Sequence, residues 1–192
     1  MVVTVGGEDA EDALRRCLAM GADRAVRIDV EARLDPISTA RALAEVVQAE
    51  RPDLVLCGVQ SSDSVQAATG TALAALLGLP SVAVVTKLAL GEGVATVNRE
   101  LEGGLVDVVE VDTPCVLTIQ TGINEPRYAT LRAIKQAEQK EIDVRDAGDV
   151  GEPAYAVRRM FAPPKGGGAE MLDGSPAEIA QRIKEIVEER LK

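Results

Sequence analysis

Short apolar runs alternate with amphipathic segments over the first eighty residues. The predicted strands are residues 2–5, 25–28 and 54–57, and the predicted helices are residues 10–20, 36–47 and 67–77. Asp9 is the expected N-cap of the first helix, and Asp35-Pro36 opens the second with an N-cap and a proline at the first helical position. This alternation predicts an α/β fold with right-handed crossovers and helices on the faces of an open, mostly parallel sheet.

The pattern changes after Pro80 to β-branched residues alternating with polar ones, separated by glycine-rich turns. We expect antiparallel hairpin additions to the sheet there. The predicted elements are strands at 82–90, 94–101, 105–111 and 115–119, a helix at 131–138, a strand-like run at 155–161, a linker at 163–168 and a final helix opened by Ser175-Pro176. The expected domains are residues 1–144 and a C-terminal arm, 145–192, whose helix packs on a partner.

The stretch from Leu54 to Pro80 is the first candidate site. A strand leads through a loop of small polar residues into a helix rich in Ala and Leu, which ends at Gly78. A helix start exposes unpaired N–H groups at the positive end of its dipole, a suitable place for phosphate. A plain strand-to-helix connection would look similar, and spacing alone slightly favours it. Gly6-Gly7 follows another strand of the same sheet, which strengthens the nucleotide interpretation.

Composition removes several classes of function. The 192 residues include no histidine, which excludes Ser–His and Cys–His nucleophilic catalysis. The net charge of −10 argues against nucleic acid as a partner. Three widely spaced cysteines, Cys17, Cys57 and Cys115, are expected to be buried free thiols and not metal ligands. One Phe, two Tyr and no Trp leave little scope for aromatic stacking on a base. No apolar run has the ~20 residues of a membrane helix, so membrane insertion is not expected.

Several motifs in one order resemble the β subunit of electron transfer flavoprotein. The segment Asn-Glu-Pro-Arg-Tyr-Ala-Thr-Leu at 124–131 is preceded by Val-Asn-Arg-Glu-Leu-Glu-Gly-Gly at 97–104 and Thr-Pro-Cys-Val-Leu-Thr at 113–118. Leu-Ala-Met-Gly-Ala-Asp-Arg at 18–24 and the loop and helix at 58–80 also match the family. The similarity runs from Val2 to the C-terminal helix.

The resemblance implies an adenine-nucleotide-binding, Rossmann-like subunit that pairs with an α subunit carrying most contacts to a redox-active FAD. The β subunit itself would hold AMP, or a second FAD in bifurcating members. It would contact this nucleotide mainly through backbone N–H groups. The residues carried over are Val5, Gly6, Asp63, Ser64, Val65, Gln66, Ala67, Thr69, Gly70 and Thr71. Ala68 departs from the family, which usually has a polar residue there.

The same resemblance implies a recognition loop whose leucine anchors dehydrogenase partners. The residues carried over to this loop are Asn124, Glu125, Pro126, Arg127, Tyr128, Thr130, Leu131 and Lys135. On the sequence alone, we would instead expect Leu131 to pack inward on its own helix. Glu100 matches a carboxylate that faces the mobile flavin domain of the α subunit, whereas on the sequence alone it would be an ordinary solvated charge.

The implied function is electron transport, as in fatty acid oxidation, from flavin-dependent dehydrogenases such as acyl-CoA dehydrogenases to a membrane quinone oxidoreductase. The chain would be a carrier subunit without bond-making chemistry, in a bacterial cytoplasm. A bifurcating carrier and a stand-alone, universal-stress-like nucleotide-binding protein remain alternatives. Family members have a strand, a connection and a helix before the strand that begins here at Val2. We expect that segment to be encoded upstream; the alternative is a degenerate subunit that binds nucleotide poorly. Loss of the segment would remove a central strand and part of the adenine pocket.

Overall fold

Alternating strands and helices build the body of the protein, as the hydrophobic pattern predicts. The computed structural model describes residues 1–31, 33–164, 168–169 and 171–191. The strands in these residues are β1 (Val2–Val5), β2 (Ala25–Asp29), β3 (Leu54–Gly58), β4 (Ser81–Leu90), β5 (Val94–Glu100), β6 (Val106–Asp112), β7 (Cys115–Ile119) and β8 (Ile142–Asp146). The α-helices are α1 (Glu11–Ala19), α2 (Pro36–Glu50), α3 (Thr69–Leu77), α4 (Leu131–Glu138) and α5 (Pro176–Arg190).

The strands divide into two sheets and do not form one continuous sheet. The first has the order β1-β2-β8 and is parallel throughout. The second has the order β3-β7-β4-β5-β6; β3, β7 and β4 run parallel, and β4, β5 and β6 form antiparallel hairpins. The predicted α/β fold, with mostly parallel strands and antiparallel hairpin additions, is confirmed, but the expectation that β1 and β3 belong to the same sheet is wrong. Among the described residues, β1 and β3 are each the edge of their sheet.

Helices cover these sheets and contribute to three of four buried clusters. Helices α1 and α4 pack together over β2, with Leu14, Leu18 and Ala137 buried between them. Helix α2 packs Ala42 and Val46 onto Val26 and Ile28 of β2. On its other side, α2 packs against α3 through Ala40 and Leu73. The fourth cluster lies within the hairpins and β7. Helices α1 to α4 therefore bury apolar side chains, which hold them on the sheets.

Helix α2 begins where the sequence predicts. The Asp35 carboxylate accepts hydrogen bonds from the Ile37 and Ser38 amides at 2.8 and 3.1 Å, and Pro36 occupies the first turn. Helix α1, by contrast, is not capped by Asp9, so that prediction is wrong. A 3-10 turn at Glu8–Ala10 precedes the helix, and Ala10 stands at its N-cap.

The C-terminal third contains two further differences. The predicted strand at 155–161 is wrong, because none of these residues pairs with a strand. Strand β8 was not predicted, and it pairs with β2 across residue 144, where the predicted domain boundary lies. The described residues form two compact units, Met1–Ala156 and Val157–Lys192. Residues 165–167 of the predicted linker lie outside the described residues.

The final helix α5, in the second unit, is confirmed. The Glu178 amide donates to the Ser175 hydroxyl, and the Glu178 carboxylate accepts from the Ser175 amide at 2.8 Å. This reciprocal pair is a capping box, and Pro176 follows it at the first helical position. No helix among the described residues is both long and apolar enough to cross a lipid bilayer.

Candidate functional site

A cavity of about 550 Å³ opens beside the loop that joins β3 to α3. Four parts of the chain surround it: β1 and β3 near their ends, the start of α2 with the residues before it, the loop itself, and Tyr155 beyond β8. The lining residues are Thr4, Arg33, Leu34, Pro36, Thr39, Gly58, Val59, Gln60, Ser61, Ser64, Gln66, Ala67, Ala68, Thr69 and Tyr155. The hydroxyl and amide side chains of the loop thus line the same cavity as Leu34, Pro36 and Tyr155.

The loop holds an unusual backbone conformation. Val65 and Ala67 have φ angles of 51° and 49°, in the left-handed region that residues with a Cβ rarely occupy. A turn precedes them, in which the Val65 amide donates to the Ser61 carbonyl at 3.1 Å. The Ser61 and Ser64 hydroxyls lie 2.8 Å apart. Such strained residues cluster at ligand-binding sites, where the surroundings maintain the conformation.

Helix α3 starts at this loop without a side-chain cap. It begins at Thr69, two residues later than predicted, because Ala67 is left-handed and Ala68 occupies the N-cap position. An alanine has no oxygen to accept the first helical N–H groups, whereas Asp35 supplies one for α2. The N–H groups of α3's first turn and the positive end of its dipole therefore remain available to an anion.

Gly70 allows α3 to lie close to the sheet. A Cβ at residue 70 would lie 2.6 Å from Thr118 Cγ2 and 3.1 Å from Cys57 Cβ. Burial raises the pKa of the Cys57 thiol, so this neighbour stays protonated and apolar. The glycine at this position therefore reflects helix–strand packing directly beneath the loop.

Asp63 forms an ion pair at the edge of the loop. Hydrogen bonds from the Ser61 hydroxyl, the Ser64 amide and the Arg33 guanidinium lower the pKa of Asp63 to about 2. The Arg33 Nη2 to Asp63 Oδ2 distance is 2.6 Å, and both side chains are exposed. The carboxylate is thus charged at neutral pH, and it partly neutralises the one arginine that lines the cavity in the described residues.

The end of β1 does not offer free backbone groups to the cavity at Gly6. The Gly6 amide donates to the Ile28 carbonyl at 3.0 Å, and the Gly6 carbonyl accepts from the buried Arg27 guanidinium at 3.3 Å. Arg27 is also paired with Asp29 and with Glu11. The backbone of Gly6 is therefore occupied within the fold, and it is Thr4 that lines the cavity.

The structure brings some of the predicted nucleotide residues together and not others. Ser64, Gln66, Ala67 and Thr69 line the cavity. Those outside its lining are Val5, Gly6, Asp63, Val65, Gly70 and Thr71. Sequence reasoning missed Arg33 and Tyr155, which long-range contacts bring to the site and no local motif marks. Tyr155 also qualifies the expectation that there is little scope for aromatic stacking, because one of the three aromatic residues of the chain lies here.

The recognition loop predicted at 124–131 borders a second, wider cavity. Asn124, Glu125 and Pro126 line it together with Leu56 and Lys87, and its volume is about 1090 Å³. Tyr128 lies on the exposed part of the loop. These residues therefore lie at the surface, with Pro126 restricting the backbone between them.

Leu131 projects from the first turn of α4. Its side chain is 79% exposed, so the alternative that it packs inward on its own helix is wrong. The Thr130 hydroxyl accepts from the Ala133 amide and fixes the start of the helix. At the other end of α4, Arg15 donates to the Ala137 carbonyl at 2.8 Å. An exposed apolar side chain is thus held on a helix that is capped at its start and attached to α1 near its end.

Three further predicted residues lie apart from the nucleotide cavity. Lys135 and Leu131 border the same shallow groove on α4. The Arg127 guanidinium approaches Gly21, just beyond the end of α1. Glu100 ends β5, opposite Val106 of β6, and is exposed. The structure thus gives one cavity suited to an anion and several exposed groups suited to protein contacts.

Comparison with known proteins is consistent with this geometry. The family model described as "Electron transfer flavoprotein domain" matches residues 1–150. The chain is 46% identical over 202 residues to the electron transfer flavoprotein subunit beta of Methylophilus methylotrophus, covering 98% of this chain and 76% of that protein.

Two other relatives have similar coverage. The chain is 34% identical over 199 residues to the electron transfer flavoprotein subunit beta of Bacillus subtilis, covering 99% of this chain and 77% of that protein. It is also 34% identical over 203 residues to the caffeyl-CoA reductase-Etf complex subunit CarD of Acetobacterium woodii, covering 99% of this chain and 77% of that protein.

Proposed function

This chain belongs to the electron transfer flavoprotein family as a β subunit, and on that premise we propose that it serves a heterodimeric carrier between dehydrogenases and a quinone oxidoreductase. The donors would be flavin-dependent dehydrogenases such as acyl-CoA dehydrogenases, and the acceptor would be membrane-associated. The chain itself would make and break no bonds. It would hold a nucleotide, contact the α subunit and present the docking surface for the donors.

The proposed nucleotide is AMP, bound in the cavity beside the β3–α3 loop. The main support for this proposal is the uncapped start of α3, which opens on a cavity that Ser64 and Thr69 also line. The volume of about 550 Å³ lies within the range of small-molecule sites. The first-turn amides of α3 and the Ser64 and Thr69 hydroxyls would hold the phosphate. These donors fit an anion without needing a basic side chain.

The α subunit would carry most contacts to FAD, and the FAD would accept and deliver the electrons when bound. This chain would only position the flavin domain. Glu100 supports that role, because it is an exposed carboxylate at the end of a hairpin strand, where an arginine of the α subunit could pair with it. Leu131 and the loop before it would dock the dehydrogenases, since a rigid exposed anchor loses little entropy on binding.

A second candidate function is a bifurcating carrier in which a second FAD replaces AMP in this subunit. The similarity of the chain to a subunit of the caffeyl-CoA reductase-Etf complex supports this second candidate. The same cavity and the same amides would then receive the diphosphate of the FAD.

The decisive experiment is to co-express the chain with an α subunit, purify the complex and identify the nucleotides released on denaturation. AMP with one FAD supports the first candidate, and two FAD support the second. A complex that releases FAD but no other nucleotide contradicts the site, and failure of the chains to associate contradicts the carrier role.

Variants then test the proposed contacts. Ser64→Ala with Thr69→Ala removes two hydroxyls from the cavity and should lower AMP affinity about tenfold or more. Ser81→Ala with Thr96→Ala, in β4 and β5, removes two hydroxyls outside the lining and should leave the AMP content unchanged. Equal AMP content in both double variants would argue against the proposed phosphate contacts.

A further inference from the structure

Residues 150–156 form a strap that reaches the nucleotide cavity, and two side chains of the α2 region attach it. Arg41 donates to the Val150 carbonyl at 3.0 Å and to the Glu152 carbonyl at 3.3 Å. The Ala154 amide donates to Asp35 Oδ2 at 3.0 Å. Both anchors lie more than a hundred residues from the strap in sequence, so the attachment is tertiary and specific.

Asp35 serves the helix and the strap at the same time. Its Oδ1 accepts from the amides of Ile37 and Ser38, and its Oδ2 accepts from the Ser38 hydroxyl and the Ala154 amide. The side chain is buried, so each of these donors would lose its partner if the carboxylate were removed. The start of α2 and the strap are therefore fixed to each other.

Gly151 allows this attachment. Its φ angle is 66°, and a Cβ there would lie 2.5 Å from the Arg41 guanidinium. Val150 adds an apolar contact, because it packs against the cluster formed by β2 and α2. The strap is thus held by polar and apolar contacts on the residues that precede Tyr155.

Tyr155 follows directly and lines the cavity. Only three aromatic residues occur in the whole chain, and Tyr155 is the one that lines this cavity in the described residues. The residue is 46% exposed, so the protein covers about half of its surface and the remainder is accessible. Leu34 and Pro36 are further apolar side chains of the lining, and the β3–α3 loop supplies many of its polar groups.

We propose that Tyr155 covers the base of the bound nucleotide, and that the strap makes the cavity select a nucleotide over a bare sugar phosphate. The proposal rests on the nucleotide site proposed above and names the residue that would recognise the base. Phosphate binds the start of α3, and the base then lies against Tyr155, Leu34 and Pro36. An aromatic ring suits this role because every base has a flat face on which it can stack.

The test uses the complex with the α subunit, stripped of nucleotide, and titrates it with AMP and with ribose 5-phosphate. Tyr155→Phe keeps the ring and should retain AMP affinity within about threefold. Tyr155→Ala and Tyr155→Leu remove the flat ring and should weaken AMP about tenfold or more, while ribose 5-phosphate changes less than about twofold. The amount of AMP that co-purifies should fall in the same two variants.

Other outcomes overturn the proposal and separate it from the site itself. Equal weakening of AMP and ribose 5-phosphate in Tyr155→Ala would mean that the residue only supports the fold of the cavity. AMP binding by Tyr155→Leu at the affinity of the parent would exclude stacking. A parent complex that binds neither ligand and contains no adenine nucleotide would reject the proposed nucleotide site, whatever Tyr155 does.

Discussion

Gly70 of α3 lies so close to Thr118 of β7 that a Cβ at residue 70 would be 2.6 Å from Thr118 Cγ2. The Thr118 hydroxyl is itself occupied, since it accepts from the Val84 amide at 3.1 Å where β4 forms an irregularity against β7. Thr118 is buried and cannot move aside freely. The start of α3, and with it the candidate phosphate site, is therefore sensitive to any side chain at residue 70.

Gly70→Ala should lower the free energy of unfolding by about 1–3 kcal/mol, because the added methyl group overpacks the contact with Thr118 and Cys57. Urea unfolding measures this change. Gly58→Ala is the matched control, since a Cβ there meets no atom within 4 Å, and its effect should stay within about 0.5 kcal/mol.

The double variant Gly70→Ala/Thr118→Ser localises the effect. Serine removes Cγ2 and keeps the hydroxyl that accepts from Val84, so part of the lost stability should return. The contact with Cys57 Cβ at 3.1 Å remains, so recovery should be incomplete. Equal destabilisation by the alanine variants at Gly70 and Gly58 would show that close packing at Gly70 is not the cause.

The local features of the fold were predictable from the sequence, because their causes lie within a few residues. Asp35-Pro36 and Ser175-Pro176 predict helix starts, and both are confirmed, since an N-cap acts on amides two or three positions away. The sequence predicts the start of α3 at Ala67, two residues before the observed start at Thr69. Ala67 has high helix propensity, but here its backbone is left-handed, which composition does not reveal.

The features that depend on distant partners were not predictable. Ile142–Asp146 is a strand because it pairs with β2, more than a hundred residues earlier, and residues 155–161 have strand-forming side chains but no pairing strand. The residues of the cavity also divide into those with local causes and those that depend on distant partners. The local strand–loop–helix pattern indicates the loop after β3, and the family resemblance names Ser64 and Thr69 within it, whereas Tyr155 reaches the site through the bond between Ala154 and Asp35.

The ionisation of Asp35 should make the free energy of unfolding depend on pH. Burial alone would raise its pKa, but hydrogen bonds from the Ser38, Ala154 and Ile37 amides and the Ser38 hydroxyl lower the pKa below the ordinary value of 3.8. A carboxyl group with a depressed pKa stabilises the folded state above its unfolded pKa, and the contribution is lost as pH falls through the folded pKa.

We therefore expect the free energy of unfolding to fall between about pH 5 and pH 3, and to fall less steeply in Asp35→Asn. At neutral pH this variant should be less stable by roughly 1–3 kcal/mol, because an amide NH₂ cannot accept from the Ala154 amide. Urea titrations of parent and variant across this range provide the test. Identical pH slopes for the two proteins would contradict the role given to the carboxylate.

Asp63 should weaken anion binding through its charge. It pairs with Arg33 beside the cavity, and its pKa of about 2 keeps it ionised at neutral pH. In Asp63→Asn, Arg33 is released and one negative charge is lost, so AMP affinity should rise about two- to fivefold at low salt and less at high salt. Titration of the complex with AMP at two ionic strengths measures both effects.

Asp53→Asn is the control for Asp63→Asn. It changes the net charge of −10 by the same amount, but Asp53 precedes β3, at the opposite end of that strand from the loop. Its AMP affinity should remain close to that of the parent. If Asp63→Asn binds AMP more weakly, Asp63 contributes a contact to the ligand and the electrostatic explanation is wrong.

Leu131 should matter for electron transfer and not for stability. Its side chain is 79% exposed on a helix held by Thr130 at its start, so truncation leaves no cavity in the protein. As a docking anchor it would bury its apolar surface on the donor. Leu131→Ala should therefore raise the KM of a reduced acyl-CoA dehydrogenase for the complex about tenfold or more, with the unfolding midpoint unchanged.

Leu90→Ala separates docking from a general loss of exposed apolar surface. Leu90 is 65% exposed at the end of β4 and lies outside the predicted recognition loop, so its truncation should leave the KM unchanged. Stopped-flow reduction of the FAD by the dehydrogenase would measure each variant under the same conditions. Only a specific contact can distinguish two leucines of similar exposure. A KM of Leu131→Ala equal to that of the parent, or an equal rise of the KM in Leu90→Ala, would therefore show that Leu131 is not the docking anchor.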